Sequence, residues 1–256
     1  MTTKTIVVFI GPAGSGKSTT VYAYSKWLYR EFSYETYKVN LDPAALFIPY
    51  EPDYDIRNTV DIDRISKEYG LGPNGALVKS MDIISSEIDD IVHVFKDVDN
   101  QFILIDTPGQ MEIFLFRDIA YKLMDSLKKY FRHTVAVFVT DAEIMKRYED
   151  YAFLAIMTVA IQTRLGVDVI PVVNKIDIAN TDKIVGDIIS DIDTITNTKH
   201  LTSQGVYGEM MSNLLNTIAM YTKATRIPKI SAKNLLGLEE LHRVIHEITC
   251  ACGDLT

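Results

Sequence analysis

Gly11-Pro12-Ala13-Gly14-Ser15-Gly16-Lys17-Ser18 fits the pattern G-x-x-x-x-G-K-[ST], in which glycines let successive backbone N–H groups turn inward around phosphate oxygens. Lys17 supplies a mobile positive charge, and the Ser18 hydroxyl can ligate Mg²⁺. Gly11, Gly14, Ser15, Gly16, Lys17, Ser18 and Thr19 are therefore candidate contacts to a nucleoside triphosphate. A chance glycine-rich turn is the competing reading. Context opposes it, because the loop lies between the β-branched run Ile6-Val7-Val8-Phe9-Ile10 and a helical pattern from Thr19 to Arg30 carrying Val21, Tyr24, Trp27 and Leu28.

Three further segments narrow the base and the reaction. Guanine presents N1–H and N2–H₂ donors on one edge, and within Asn174-Lys175-Ile176-Asp177 a fixed Asp177 carboxylate can accept both while Lys175 lays its stem along the base. Adenine has no such donor pair. Alone, the tetrapeptide reads equally well as a helix cap; at a strand end downstream of a phosphate loop it points to guanine. Ser231-Ala232-Lys233 adds a backbone N–H for the guanine carbonyl. In Asp106-Thr107-Pro108-Gly109-Gln110, Asp106 can hold Mg²⁺ through water, Gly109 can offer its N–H to the γ-phosphate, and Gln110 can orient an attacking water. A plain strand-terminating turn is the alternative there.

The elements that must position these groups are legible as alternating apolar runs and helical patterns. After the first strand come Tyr37–Leu41, Phe102–Asp106, Val135–Thr140, Val169–Asn174 and Arg226–Ser231, an order that predicts a mostly parallel sheet with helices on both faces, three layers in all. Leu77, Met81, Ile84, Ile88, Ile91 and Phe95 form the apolar stripe of a long amphipathic helix. A helical insertion is expected near 191–223, where Met210, Leu214, Thr217 and Tyr221 recur at helical spacing. One domain over 1–256 is the economical reading.

With 256 residues, 47% of them hydrophobic and 23% charged, the chain has the composition of an ordinary globular domain. A net charge of −8 provides no general attraction to nucleic-acid backbones or anionic membranes, so direct nucleic-acid binding is not expected. No apolar stretch approaches the about 18 residues of a membrane span, and cytoplasmic residence is the natural expectation. Cys250 and Cys252 are too close in sequence for an unstrained bridge. His242, His246 and Cys250 would share one helix face, either as a metal stripe or as an amphipathic surface.

Gly72-Pro73-Asn74, in isolation, is a helix-to-helix turn. Taken with the phosphate loop, Asp42-Pro43-Ala44, Asp106-Thr107-Pro108-Gly109-Gln110-Met111-Glu112 and Asn174-Lys175-Ile176-Asp177, it closely resembles the GPN-loop GTPases, from about Thr5 to the last helix. The resemblance implies a P-loop NTPase fold binding GTP or GDP with Mg²⁺ on Ser18 and Asp106. It also implies a homodimer, or a dimer of paralogues, in which Asn74 of one chain approaches the γ-phosphate bound by the other. Asp42 would belong to the first switch, Gln110 and Glu112 to the second. The family's implied role is assembly or transport of large complexes, RNA polymerase above all. This chain lacks the second loop lysine of related dimeric proteins, since Pro12 and Ala13 follow Gly11, which leaves Asn74 as the candidate trans group. Hydrolysis of GTP is the expected reaction; a phosphotransferase or a non-catalytic GTP-bound scaffold are the rivals.

Overall fold

The computed structural model describes residues 4–145, 148–178, 205, 209 and 227–250. The first strand, β1 (Thr5–Ile10), leads through the phosphate loop into α1 (Lys17–Phe32), then β2 (Thr36–Asn40) and the two-residue β3 (Tyr54–Asp55). A 3₁₀ turn at Ile56–Asn58 precedes α2 (Ile62–Tyr69) and the long α3 (Pro73–Lys96). The chain continues through β4 (Phe102–Asp106), α4 (Met111–Phe116), α5 (Asp118–Tyr130), β5 (His133–Asp141), α6 (Tyr148–Leu165), β6 (Asp168–Asn174) and the last described helix, α7 (Leu238–Cys250).

The six strands run in the order β3-β2-β4-β1-β5-β6, every neighbouring pair parallel. Because β1 lies between β4 and β5, it is apolar on both faces: Ile6, Val8 and Ile10 enter one core, Val7 and Phe9 the other. The first core is closed by α2, α3, α5 and α6, the second by α1 and α7. This is the expected three-layer α/β/α arrangement.

All six residues of the predicted stripe on α3 are buried. Pro73 occupies the first turn, where its missing N–H has no intrahelical partner to lose, and Gly72 caps it. The preceding α2 ends on Gly70 in the left-handed conformation. Gly72-Pro73-Asn74 is thus a helix-to-helix turn, as its composition suggests.

Two expectations need revision, and an open alternative is resolved. Strand β2 begins one residue earlier than the predicted Tyr37–Leu41, although the Leu41 N–H still bonds Asp106 O at 2.9 Å. The predicted strand Arg226–Ser231 is reduced, over its described residues, to two isolated bridges, Lys229 to Val173 and Ser231 to Leu236. Pro228 can only accept there, and it takes the Val173 N–H at 3.0 Å. His242 is an aromatic-packing residue, its ring centroid 5.0 Å from those of both Trp27 and Phe32, its Nδ1 sharing a 2.8 Å hydrogen bond with the Tyr24 hydroxyl. Burial pushes its pKa down to about 4. Among the described residues no group of three or more His, Cys, Asp or Glu side chains forms a metal cluster. The insertion near 191–223 lies outside the described residues, apart from 205 and 209. No described helix is long and apolar enough to cross a membrane.

Ile84, fully buried on α3, tests the weight of this layer. Ile84→Ala is expected to destabilise the chain by about 2–5 kcal/mol, read as a lower urea midpoint with an unchanged slope.

Candidate active site

The carboxyl ends of β1, β4, β5 and β6 place the chemistry at one edge of the sheet, where open α/β folds bind ligands. At the end of β1, Gly11 adopts φ +151, and a Cβ there would sit 2.2 Å from Val139 O. Gly16, at φ +91, caps α1, and a Cβ on it would lie 2.4 Å from Asn174 Nδ2. Only glycine fits either position. The loop they frame ends at the amino terminus of α1, whose free N–H groups and dipole favour an anion. Lys17 is buried and its ammonium donates to Gly11 O at 3.0 Å and Pro12 O at 3.2 Å. Burial lowers its pKa, and the nearby Asp106 and Asp42 oppose that shift. Ser18 and Thr19 are half-buried, and Ser15 is buried with its hydroxyl unpartnered in the protein.

Asp106 ends β4 and is 1% exposed. Burial pushes its pKa up to about 6, against the Ser18 hydroxyl, Lys17 and Tyr50, which draw it down. Its Oδ2 accepts from the Tyr50 hydroxyl at 3.0 Å, while Oδ1 is buried with no protein partner. A buried carboxylate oxygen and a hydroxyl are hard ligands of the kind Mg²⁺ selects, so Asp106 and Ser18 fit that ion. Asp42 is likewise raised by burial, less the opposing N–H groups of Ala44 and Gly109. Its Oδ1 accepts from Ala44 N at 2.9 Å and its Oδ2 from Gly109 N at 3.1 Å. The Gly109 N–H assigned from sequence to a γ-phosphate is therefore spent on Asp42 here, because a half-buried carboxylate takes the nearest donor.

At the base end, Asn174 closes β6 with its side chain buried. Its Nδ2 donates to Ser15 O at 3.0 Å, and its Oδ1 accepts the Ala232 N–H at 3.1 Å. Of the Ser231-Ala232-Lys233 tripeptide, expected to offer a backbone N–H to the guanine carbonyl, the Ala232 N–H is thus taken by Asn174. Ser231 Oγ donates to Asp177 Oδ1 at 2.5 Å, fixing an otherwise exposed carboxylate. Lys175, in a left-handed conformation at φ 66, extends to Asp141 Oδ2 at 2.5 Å. Lys233 is exposed beside them.

The remaining candidates lie at the starts of α4 and α3. Gln110 is half-buried at the start of α4. Glu112 is exposed and lines a groove between α3 and α5 with Asp82 and Arg117, and Asn74 is exposed in the first turn of α3. Sequence reasoning missed Tyr50, Asp141 and the chain Asn40–Asp55–Arg57. Burial would raise Asp55, but hydrogen bonds from Arg57 and Asn40 hold it below the usual carboxylate range. Acid and base two apart in Asp55-Ile56-Arg57 were the only local signal.

A phosphate loop at the first turn of a parallel sheet, an acidic group at the end of the neighbouring strand, and a carboxylate held for the guanine edge define a P-loop GTPase. A family model described as "Conserved hypothetical ATP binding protein" matches residues 9–251. The GPN-loop GTPase PAB0955 of Pyrococcus abyssi is 35% identical over 257 residues, 98% of this chain and 100% of its own. GPN-loop GTPase 1 of Dictyostelium discoideum is 29% identical over 93% of this chain, which spans 60% of that longer protein. The crystal structure of PAB0955, a GTPase in apo form, matches with a TM-score of 0.80 at 32% identity, covering 97% of this chain and 98% of that one. The chain belongs to the GPN-loop GTPase family; it binds guanine nucleotides and hydrolyses GTP. The family description speaks of ATP, but adenine has no donor pair for a carboxylate held as Asp177 is.

Two variants test the site. In Asp177→Asn the amide presents a donor where guanine also donates, so preference is expected to pass from GTP to XTP in a competition assay. Asp106 holds its proton more tightly in the folded, nucleotide-free chain than unfolded, so stability falls as pH rises from about 4 to about 6. Asp106→Asn removes that loss. The variant is expected to exceed wild type by on the order of 1–3 kcal/mol at about pH 7.5, with the gap closing below about pH 4, in thermal melts without nucleotide.

Proposed function

We propose that the chain is a cytoplasmic guanine-nucleotide switch acting as a homodimer or a dimer of paralogues, in which the Gly72-Pro73-Asn74 turn of each chain completes the nucleotide site of the other. Its work is assistance to the assembly of a large complex such as RNA polymerase. The phosphate-loop amides and Lys17 balance charge on the β- and γ-phosphates, which is where the transition state gathers it. Ser18 and Asp106 hold Mg²⁺, whose charge offsets that of the phosphates when bound. Gln110 and the partner subunit's Asn74 orient the attacking water, with Asp42 and Glu112 in the segments that respond to the nucleotide.

The observation that carries the dimer reading is the setting of Gly72, Pro73 and Asn74. All three are exposed, at a turn rigidified by a proline and seated on a 24-residue helix whose other end is packed in the core. Strand β4 runs parallel to β1, and α3 leads back to its start, so the turn lies at the sheet edge that also carries the phosphate loop. The first turn of α3 holds no acidic residue, leaving the positive end of the helix dipole free to approach a phosphate. A rigid, exposed, electropositive tip is suited to insertion into a neighbouring site.

Mixing two defective homodimers tests this. Lys17→Ala chains keep the Asn74 turn, and Asn74→Ala chains keep the phosphate loop. Each alone should hydrolyse GTP poorly. After subunit exchange of equal amounts, half of the dimers carry one intact composite site, and activity is expected to recover to about one quarter of wild type. Heterodimers proven by mass measurement yet inactive would reject the trans arrangement.

A further inference from the structure

We propose that Tyr50 is a positioning residue of the hydrolytic site: its hydroxyl holds one oxygen of Asp106 so that the other is presented to hydrated Mg²⁺. The inference rests on the assignment of that ion to Asp106. Tyr50 lies in the segment between β2 and β3, 56 residues from Asp106 in sequence, and only 8% of it is exposed. Its ring packs in the same core as Val7, Phe9 and Val21 beneath the phosphate loop. The hydroxyl donates to Asp106 Oδ2 at 3.0 Å.

The division of labour within the carboxylate is what makes this contact more than packing. Oδ1 is buried and makes no hydrogen bond of good geometry within the protein, although a buried acceptor is rarely left so; the Ser18 hydroxyl, the other candidate Mg²⁺ ligand, lies close enough to interact with the same carboxylate. A carboxylate free to turn about its terminal bond would present either oxygen. One pinned through Oδ2 presents Oδ1 in a fixed direction, the arrangement by which outer partners orient metal-bound groups.

The segment bearing Tyr50 is itself held. Arg57 Nη1 donates to Ala45 O at 2.8 Å, and Arg57 Nη2 bonds Asp55 Oδ2 at 2.6 Å. Asp55 Oδ1 accepts from Asn40 Nδ2 at 2.9 Å, and Asn40 Oδ1 accepts the Asp42 N–H at 3.0 Å. Asp42 then takes the Gly109 N–H. The segment from 41 to 57 is therefore a strap fastened to β4 and its following loop at three points, Leu41 and Tyr50 on Asp106 and Asp42 on Gly109.

Tyr50→Phe keeps the ring and deletes the hydroxyl. Binding of a fluorescent, non-hydrolysable GTP analogue is followed against Mg²⁺ concentration in the full chain, alongside turnover and melting without nucleotide. The Mg²⁺ concentration for half-maximal enhancement of binding is expected to rise about tenfold or more, with affinity in EDTA unchanged and kcat restored at high Mg²⁺. Adding Tyr50→Phe to Asp106→Asn should change the Mg²⁺ response no further. Superimposable Mg²⁺ curves for wild type and Tyr50→Phe would overturn the role, whatever the melting temperatures. So would an equal shift in the Asp106→Asn background. A wild-type protein whose analogue binding ignores Mg²⁺ overturns the ion's assignment and the Tyr50 role with it.

Discussion

The nucleotide site depends on one buried amide. Asn174 is 2% exposed, and both ends of its side chain are committed, Nδ2 to Ser15 O and Oδ1 to the Ala232 N–H. Those partners belong to the phosphate loop and to the segment that precedes α7, regions at opposite ends of the chain. A buried amide must satisfy both its donor and its acceptor, so neither region can shift without stranding the other. Phosphate recognition and base recognition are joined in one rigid body for this reason. The requirement also explains Gly16, which must leave room for the amide where any other residue would place a Cβ.

On this frame sit three charges that the fold alone does not favour. Lys17, Asp106 and Asp42 are each drawn toward their neutral forms by burial; the carboxylates oppose that shift for Lys17 and Lys17 opposes it for both of them, while Asp42 pushes Asp106 further toward its neutral form. The balance is local. A nucleotide phosphate at the loop would meet Lys17 and the loop amides, and a hydrated cation beside it would meet Asp106. Ligand binding therefore relieves desolvation that the empty site carries, which ties affinity to the same groups that limit stability.

Much of the fold is legible in sequence because burial imposes its period. The stripe from Leu77 to Phe95 had to face a core, and the run from Ile6 to Ile10 had to be covered on both faces. The phosphate loop and Asp177 are legible because glycine spacing and carboxylate chemistry are local properties. Tyr50 is not, since nothing near a tyrosine reveals a carboxylate 56 residues away. The two-residue β3 is too short for any alternation to register, and Lys175's pairing with Asp141 is likewise a long-range fact. The Gly109 and Ala232 N–H groups illustrate the same limit from the other side. Sequence identifies a donor, but competition among buried acceptors decides who receives it.

That competition has a consequence for the segments flanking the γ-phosphate position. One N–H serves one strong acceptor at a time, so the Asp42–Gly109 bond and the γ-phosphate contact expected of Gly109 exclude each other. Tyr50–Asp106 is not in competition, because it engages the carboxylate oxygen turned away from the unpartnered one. The strap between β2 and β3 is thus fastened by one bond that a triphosphate would take over and by two that it would leave in place, those of Leu41 and Tyr50 to Asp106. The backbone of Asp42 is itself held by the Asn40 side chain, which bonds both its N–H and its C=O. A change of partner at the Asp42 carboxylate therefore need not disturb the carboxylate that ends β4. The arrangement separates the contacts that stay fixed for chemistry from the one contact that a triphosphate would exchange.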